Sequence, residues 1–240
     1  MNVLFITGIY PPDIGGPATY VSTMAKKLNK KGHHVEILSL GRRNEIFRDG
    51  FFVRRVRRGR SILIRFFRMI IPGIIMGFKA DLIYVTGSPW DSWIVGFVLS
   101  KTYRKVFVIK VVGDPIWEWA IRNQVSNLSI QDFNKLKGNP LIELLKWIRN
   151  ILARRADMVI APCEFLRDII LLWRVSDSQV KVIFNAMEPE HNTLSQNNER
   201  SNQVITVSRL VPWKGVDRLI RNVPRLSKNV EMMIIGDGPM

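Results

Sequence analysis

A chain of 240 residues, 47% hydrophobic and 23% charged, has ordinary globular composition, which excludes disorder and leaves room for one large domain or one and a fraction. Its one cysteine, Cys163, excludes an internal disulfide framework, and no Cys/His cluster has metal-ligand spacing, so a reducing, cytoplasmic setting is expected. The formal net charge of +16 is uneven: residues 1–113 carry 19 Lys plus Arg against 6 Asp plus Glu, an excess of 19 − 6 = +13, which calls for a nucleic acid, an anionic membrane surface or a phosphate-bearing substrate.

In chain order, residues 3–7 form a short apolar run with no basic stretch before it, which reads as a buried strand and not a signal peptide. The loop that follows, Gly8-Ile9-Tyr10-Pro11-Pro12-Asp13-Ile14-Gly15-Gly16, is stiffened by prolines and ends in two glycines where a helix over residues 19–31 begins. Gly15 and Gly16 are either turn residues or a place where backbone N–H groups and a helix dipole meet an anion. Residues 35–40 read as a second strand. Then comes the basic run, with Arg54, Arg55, Arg57, Arg58, Arg65 and Arg68, and no acidic residue between Asp49 and Asp81. The apolar stretch 62–78 is broken by Pro72 and Gly73 and is shorter than the roughly 20 residues a spanning helix needs. Two readings stand: a segment lying among anionic headgroups, with those six arginines on the membrane surface, or a buried helix whose arginines form a solvated rim. No nucleic-acid module accompanies the charge, so no nucleic-acid partner is expected.

Residues 82–86, 106–112, 158–161 and 180–184 are further β-branched runs, and Leu141, Leu144, Leu145, Ile148 and Leu152 mark one face of a helix over 141–155. Strands alternating with helices predict an α/β fold, a Rossmann-like doubly wound parallel sheet over residues 1–187. Residues 188–202 have linker composition. Residues 203–240 then read as one βαβ unit, the start of a second Rossmann-like domain, with strands at 204–208 and 230–235 and a helix at 216–226.

Parallel sheets bind ligands at the carboxyl ends of their strands. There, after residues 106–112, lie Asp114, Trp117 and Glu118. A carboxylate beside indoles suits a sugar, and the same residues equally suit an Asp-Pro turn over core tryptophans. After residues 204–208 come Arg209 and Lys214, a pair suited to a diphosphate or to an ordinary charged surface.

The order of these pieces is more specific than any of them alone. Gly15-Gly16 with Tyr20-Val21, Lys31-Gly32-His33, Ala156-Asp157 with Glu164-Phe165-Leu166, Asn185-Ala186, Ser208-Arg209-Leu210 with Lys214-Gly215, and Gly236-Asp237-Gly238-Pro239 resemble glycosyltransferase family 4, a large retaining family of GT-B fold. The resemblance implies two Rossmann-like domains, an acceptor side and a nucleotide-sugar donor side, with no metal and no cofactor apart from the donor. It places donor-phosphate contacts on Gly15, Gly16, Arg209 and Lys214, and a catalytic role on Asp114; Tyr20, Trp117 and Glu118 are the candidate acceptor contacts beside them. Many members carry a histidine before that aspartate, where this chain has Gly113. The family's later Glu-x7-Glu segment is not in the chain, so the resemblance also implies a truncated donor domain and weak or no turnover.

The leading expectation is therefore retaining transfer from a nucleotide sugar to a sugar or lipid-linked acceptor, in polysaccharide or glycolipid synthesis, by a cytoplasmic protein peripheral on the inner membrane face. The alternatives are a noncatalytic acceptor- or membrane-binding remnant, and a dinucleotide-dependent enzyme, disfavoured because no GxGxxG loop is present.

Overall fold

The computed structural model describes residues 1–87, 89–186, 202–225 and 230–240, with no side chain described at Pro89. Apart from Asn202, the expected linker at 188–202 lies outside the described residues. The chain forms two compact units, Met1–Glu118 with Leu128–Ala186, and Trp119–Asn127 with Met187–Met240. Sequence patterning does not anticipate that Trp119–Asn127 groups with the second.

In the first unit each short apolar run becomes a strand and each amphipathic stretch a helix. The elements up to residue 186 are β1 (Asn2–Thr7), α1 (Gly16–Lys30), β2 (His34–Gly41), β3 (Glu45–Arg48), β4 (Phe52–Arg57), α2 (Ile62–Lys79), β5 (Leu82–Thr86), α3 (Ile94–Tyr103), β6 (Val106–Lys110), α4 (Pro115–Arg122, of which only Pro115–Glu118 belongs to the first unit), α5 (Ile130–Lys135), α6 (Pro140–Arg154), β7 (Met158–Ala161), α7 (Glu164–Leu172) and β8 (Val180–Val182). They build an eight-stranded sheet in the order β3-β4-β2-β1-β5-β6-β7-β8. All pairs are parallel except β3 with β4. The order reverses at β1, whose Val3 lies between Val35 and Leu82, so the crevice at a reversal of strand order opens beyond its carboxyl end.

Both faces of the sheet are covered. Val21 and Ala25 of α1 pack on Val3, Phe5, Val35 and Ile37. On the other face Met69, Met76, Val95, Leu99, Leu152, Ile169 and Ile170, from α2, α3, α6 and α7, pack on Leu4, Ile6, Leu38 and Val85. Near-continuous apolar strands follow from this two-sided burial.

Two strands were hidden in the sequence. The basic run 52–57 is β4, with Val53, Arg55 and Val56 buried, and β3 closes the sheet edge beside it. The helix over 141–155 also turns differently from expectation. It buries Ile142, Lys146, Arg149, Leu152 and Ala153, while Leu141, Leu144 and Trp147 are exposed. Its inward face is therefore partly cationic, because each cation has an internal partner.

The second unit contains β9 (Gln203–Val207), α8 (Val216–Asn222) and β10 (Glu231–Ile235), with β9 and β10 parallel. Ile205 and Val207 of β9 and Ile234 and Ile235 of β10 are exposed.

α3 approaches the sheet through Gly96, where an added methyl would overlap Val85 and meet the Phe107 ring at 3.0 Å. Gly96→Ala is expected to destabilise the fold by about 1–3 kcal/mol through overpacking, measured by urea unfolding; an unchanged midpoint would show that α3 lifts off freely.

Candidate functional site

The loops at the carboxyl edge of the first unit's sheet form the candidate site. β1 runs into residues 8–15, which pass through a cis Pro11–Pro12 bond to the start of α1. That helix has no side-chain cap at Gly15 and no acidic residue in its first turn. Its positive end is left for an external group. A methyl on Gly15 would press on Ile9 at 2.7 Å, whereas open space lies beyond the Cα of Gly16, so a ligand can approach the backbone at Gly16.

Arg55 holds this loop from beneath. It pairs with Glu45 at 2.5 Å and donates to the carbonyl oxygens of Tyr10 and Pro11, with its guanidinium over the Phe47 ring. Gly41 is required beside it, because a Cβ there would occupy the place of the Arg55 side chain. Arg55 is therefore an internal latch and not a membrane-surface residue, which corrects the expectation: alternation along β4 turns it inward, where a carboxylate and two carbonyls compensate its burial. Arg65 is corrected likewise, since it pairs with Asp91 at 2.6 Å and both are largely buried. Arg58 donates to the Gly8 carbonyl at 2.8 Å. Arg54, Arg57 and Arg68 line a groove of about 640 Å³ between β3, β4 and α2. A second groove, of about 860 Å³, opens at the carboxyl ends of β1, β2 and β4, lined by Ile9, Pro12, Ile14, Arg42, Arg43 and Arg58 among others.

Asp114 follows β6, as expected, but it is fully buried. One carboxylate oxygen accepts from Arg149 at 2.5 Å and from Asn134 at 2.9 Å; the other accepts the N–H groups of Ile116 and Trp117 at 3.1 and 3.3 Å. Arg149 donates in turn to the Asn134 amide oxygen and lies over Trp173, whose indole N–H donates to the same oxygen at 3.0 Å. Burial pulls the guanidinium below its usual range, against the Asp114 carboxylate, which holds it up. With four donors on its two oxygens and no exposed surface, Asp114 is a structural anion capping α4. The catalytic role expected for it does not fit this geometry.

Glu118, one turn further on, is half-buried, and its carboxylate occupies the space a side chain at Gly113 would need, 2.6 Å from where that Cβ would stand. The glycine therefore makes room for a different acidic group. Trp117 is fixed by its indole N–H on the Leu128 carbonyl at 2.9 Å. The hydroxyl of Tyr20 is spent on Tyr84 at 2.7 Å, so it faces the interior.

Sequence reasoning missed Lys110 and Arg149. Lys110 ends β6 almost fully buried, with its ammonium donating to the Ile183 carbonyl at 2.9 Å and lying 5.0 Å from the Tyr20 ring centre. Burial pushes its titration below the usual lysine range, opposed by Cys163 nearby. A cation closing an otherwise apolar strand was the available signal for Lys110; Arg149 gave none, sitting one position off the leucine face.

In the second unit the segment Ser208–Leu210 is zipped to the one after β10: Ser208 N–H donates to the Ile235 carbonyl and Leu210 N–H to the Asp237 carbonyl, both at 3.0 Å. Gly236 and Gly238 permit this, since a Cβ on either would overlap the facing backbone. Arg209 and Lys214 are both exposed, and Gly215 takes the left-handed conformation, φ 66°, that starts α8. Among the described residues no group of three or more His, Cys, Asp or Glu is placed to hold a metal ion.

Residues 14–191 match the sequence profile of Glycosyltransferase Family 4. The chain belongs to glycosyltransferase family 4. It is 22% identical over 266 residues to the phosphatidylinositol N-acetylglucosaminyltransferase GPI3 subunit of Saccharomyces cerevisiae, covering 99% of this chain and 53% of that protein. The chain thus spans about half the length of the curated relatives it matches. Anabaena Alr3699/HepE, solved with UDP and glucose, superposes with a TM-score of 0.66 at 18% identity, over 99% of this chain and 61% of that one. Sucrose-phosphate synthase from Thermosynechococcus elongatus gives 0.69 at 14% identity, over 97% and 61%. These likenesses establish the GT-B, Rossmann-like fold.

Replacing Arg149 with methionine leaves Asp114 buried without its cation. R149M is expected to cost about 3–5 kcal/mol in urea unfolding, and adding Asp114→Asn is expected to recover part of that loss. A single variant as stable as the parent would break this account.

Proposed function

We propose that the chain is the acceptor side and the beginning of the donor side of a nucleotide-sugar-dependent glycosyltransferase that works with retention and without a metal ion or other cofactor. The observation that carries the reading is the carboxyl edge of the first unit's sheet in a member of this family: an uncapped, acid-free helix start at Gly15-Gly16, with the Glu118 carboxylate in the space left open by Gly113. In this reading Gly15 and Gly16 lie against the donor phosphate. Arg209 and Lys214 stabilise the nucleoside diphosphate as the glycosidic bond breaks, because charge develops on that leaving group. Glu118 takes over the acceptor-side role first expected of Asp114, orienting the hydroxyl that attacks, while Trp117 offers its face to a sugar ring.

The acceptor we infer is amphipathic and anionic. The groove of about 860 Å³ beside the Gly8–Gly15 loop combines Ile9, Pro12 and the fully exposed Ile14 with Arg42, Arg43, Arg55 and Arg58; its two carboxylates, Asp13 and Glu45, lie against Arg58 and against Arg43 and Arg55, so cations outnumber them and the lining fits a phosphate next to an apolar chain. The yeast relative's name, which includes phosphatidylinositol, supports a lipid-linked acceptor of glycolipid or cell-surface polysaccharide synthesis on the cytoplasmic side of a membrane. The chain spans 53% of that relative, so nucleotide-sugar binding by residues it contains is tested before turnover.

Binding is therefore the first test. Calorimetry with UDP- and ADP-sugars is expected to detect one of them, and R209A with K214A to weaken it about 100-fold or more, each lost charge-assisted contact contributing about 1.5–3 kcal/mol; no binding of any nucleotide sugar at millimolar concentration would overturn the donor reading. In a chain or complex that turns over, E118Q is expected to lower the transfer rate by about 100-fold with donor affinity kept, whereas an unchanged rate would return the acceptor role to another group.

A further inference from the structure

α2 is built inside out. The side it turns to the core consists of Met69, Pro72, Gly73, Met76 and Gly77, and the two glycines receive the Leu99 side chain of α3, which a Cβ at Gly73 would meet at 2.8 Å. The bulky side chains point the other way. Leu63, Phe67, Ile71, Ile75 and Phe78 are each 59–69% exposed, and with Ile64 and Ile74 they fall within an arc of about 120° at 100° per residue. Scattered exposed apolar residues are ordinary, whereas a row running the length of an 18-residue helix marks a surface that water does not cover in use.

One flank of this row is cationic, and no acidic residue lies on the helix. Arg68 and Lys79 border it on the helix, and Arg60 precedes its first turn, all three exposed. Alongside runs the groove of about 640 Å³ with Arg54, Arg57 and Arg68 on its walls and Ile71, which also belongs to the row, at its edge. The one acidic residue of that groove, Glu45, is committed to Arg43 and Arg55. No helix among the described residues is long and apolar enough to cross a membrane, so the row can enter a bilayer only sideways.

We propose that α2 docks the protein on an anionic phospholipid surface. The Leu63–Phe78 row inserts among the acyl chains at the level of the glycerol backbone, and the groove of Arg54, Arg57 and Arg68 receives headgroup phosphates. A second copy of the chain or a protein partner would call for acidic or mixed charge beside the apolar row; its charged flank carries one sign only, which selects lipid. The docking goes beyond the transferase reading and does not depend on it, because the donor chemistry uses none of these residues.

The test is cosedimentation of the 240-residue chain with vesicles of phosphatidylcholine alone and of phosphatidylcholine with phosphatidylglycerol. Binding to the anionic vesicles, stronger by about tenfold or more than to the neutral ones and weakened by added salt, is expected. Phe67→Ser with Ile71→Ser and Ile75→Ser is expected to abolish it with the circular dichroism spectrum unchanged, since all three are exposed. Arg57→Gln with Arg60→Gln should reduce binding to anionic vesicles by about tenfold or more and leave neutral vesicles unaffected, which keeps a test in hand should the triple variant misfold. Equal binding to both vesicles, no binding to either, or full binding by the folded triple variant overturns the proposal. So does a parent chain that forms dimers dispersed by the triple substitution while ignoring vesicles, which would assign the face to a second copy.

Discussion

The buried ion pair between Asp114 and Arg149 is the constraint on which the candidate site rests. Two opposite charges far from water are costly unless hydrogen bonds compensate them, and here Asn134 and two backbone N–H groups donate to the carboxylate while the guanidinium also donates to Asn134 and Asn150. The result joins the end of β6 and the first turn of α4 to α5, α6 and α7 around one carboxylate. The first turn of α4, which displays Glu118 and Trp117 at the carboxyl edge, is thus anchored from below by electrostatics, in a place where a parallel sheet alone supplies only an open strand end.

Arg55 does the same work on the opposite side of the sheet. A guanidinium drawn inward by strand alternation gathers Glu45 and the carbonyls of the Pro11–Pro12 loop, so the approach to Gly15-Gly16 is held by a cation that never meets solvent. Both anchors use arginine, whose planar, multi-donor head satisfies several acceptors at once. Part of the chain's large positive charge is consequently structural, and what remains for partners lies along the grooves of β4 and α2 and around the loop after β2.

The division between the two faces of α2 follows from the same economy of packing. Glycines toward the core let α3 approach closely, and large side chains are left outside beside a cationic border. Family membership, the doubly wound sheet and this outward row together describe a glycosyltransferase-family protein whose first unit presents a distinct surface beside its sheet edge.

Much of this was legible in the sequence, because hydrophobic periodicity and loop chemistry are local. The strands at residues 82–86 and 158–161 were read to the residue, the Gly15-Gly16 helix start was visible as composition, and the ordered motifs pointed to the family. Burial of charge was not legible. Arg55 and Arg65 look like surface residues in a basic run until Glu45 and Asp91, 10 and 26 residues away, are brought beside them. Asp114 looks like a catalytic acid until Arg149, 35 residues on, claims it. Glu118 gained its place only because Gly113 leaves a void that no pattern records. Sequence determined which segments are strands and helices and where they turn; tertiary structure alone decided which charges are spent inside and which face a ligand, since a charge's role depends on a partner that only folding brings within hydrogen-bonding distance.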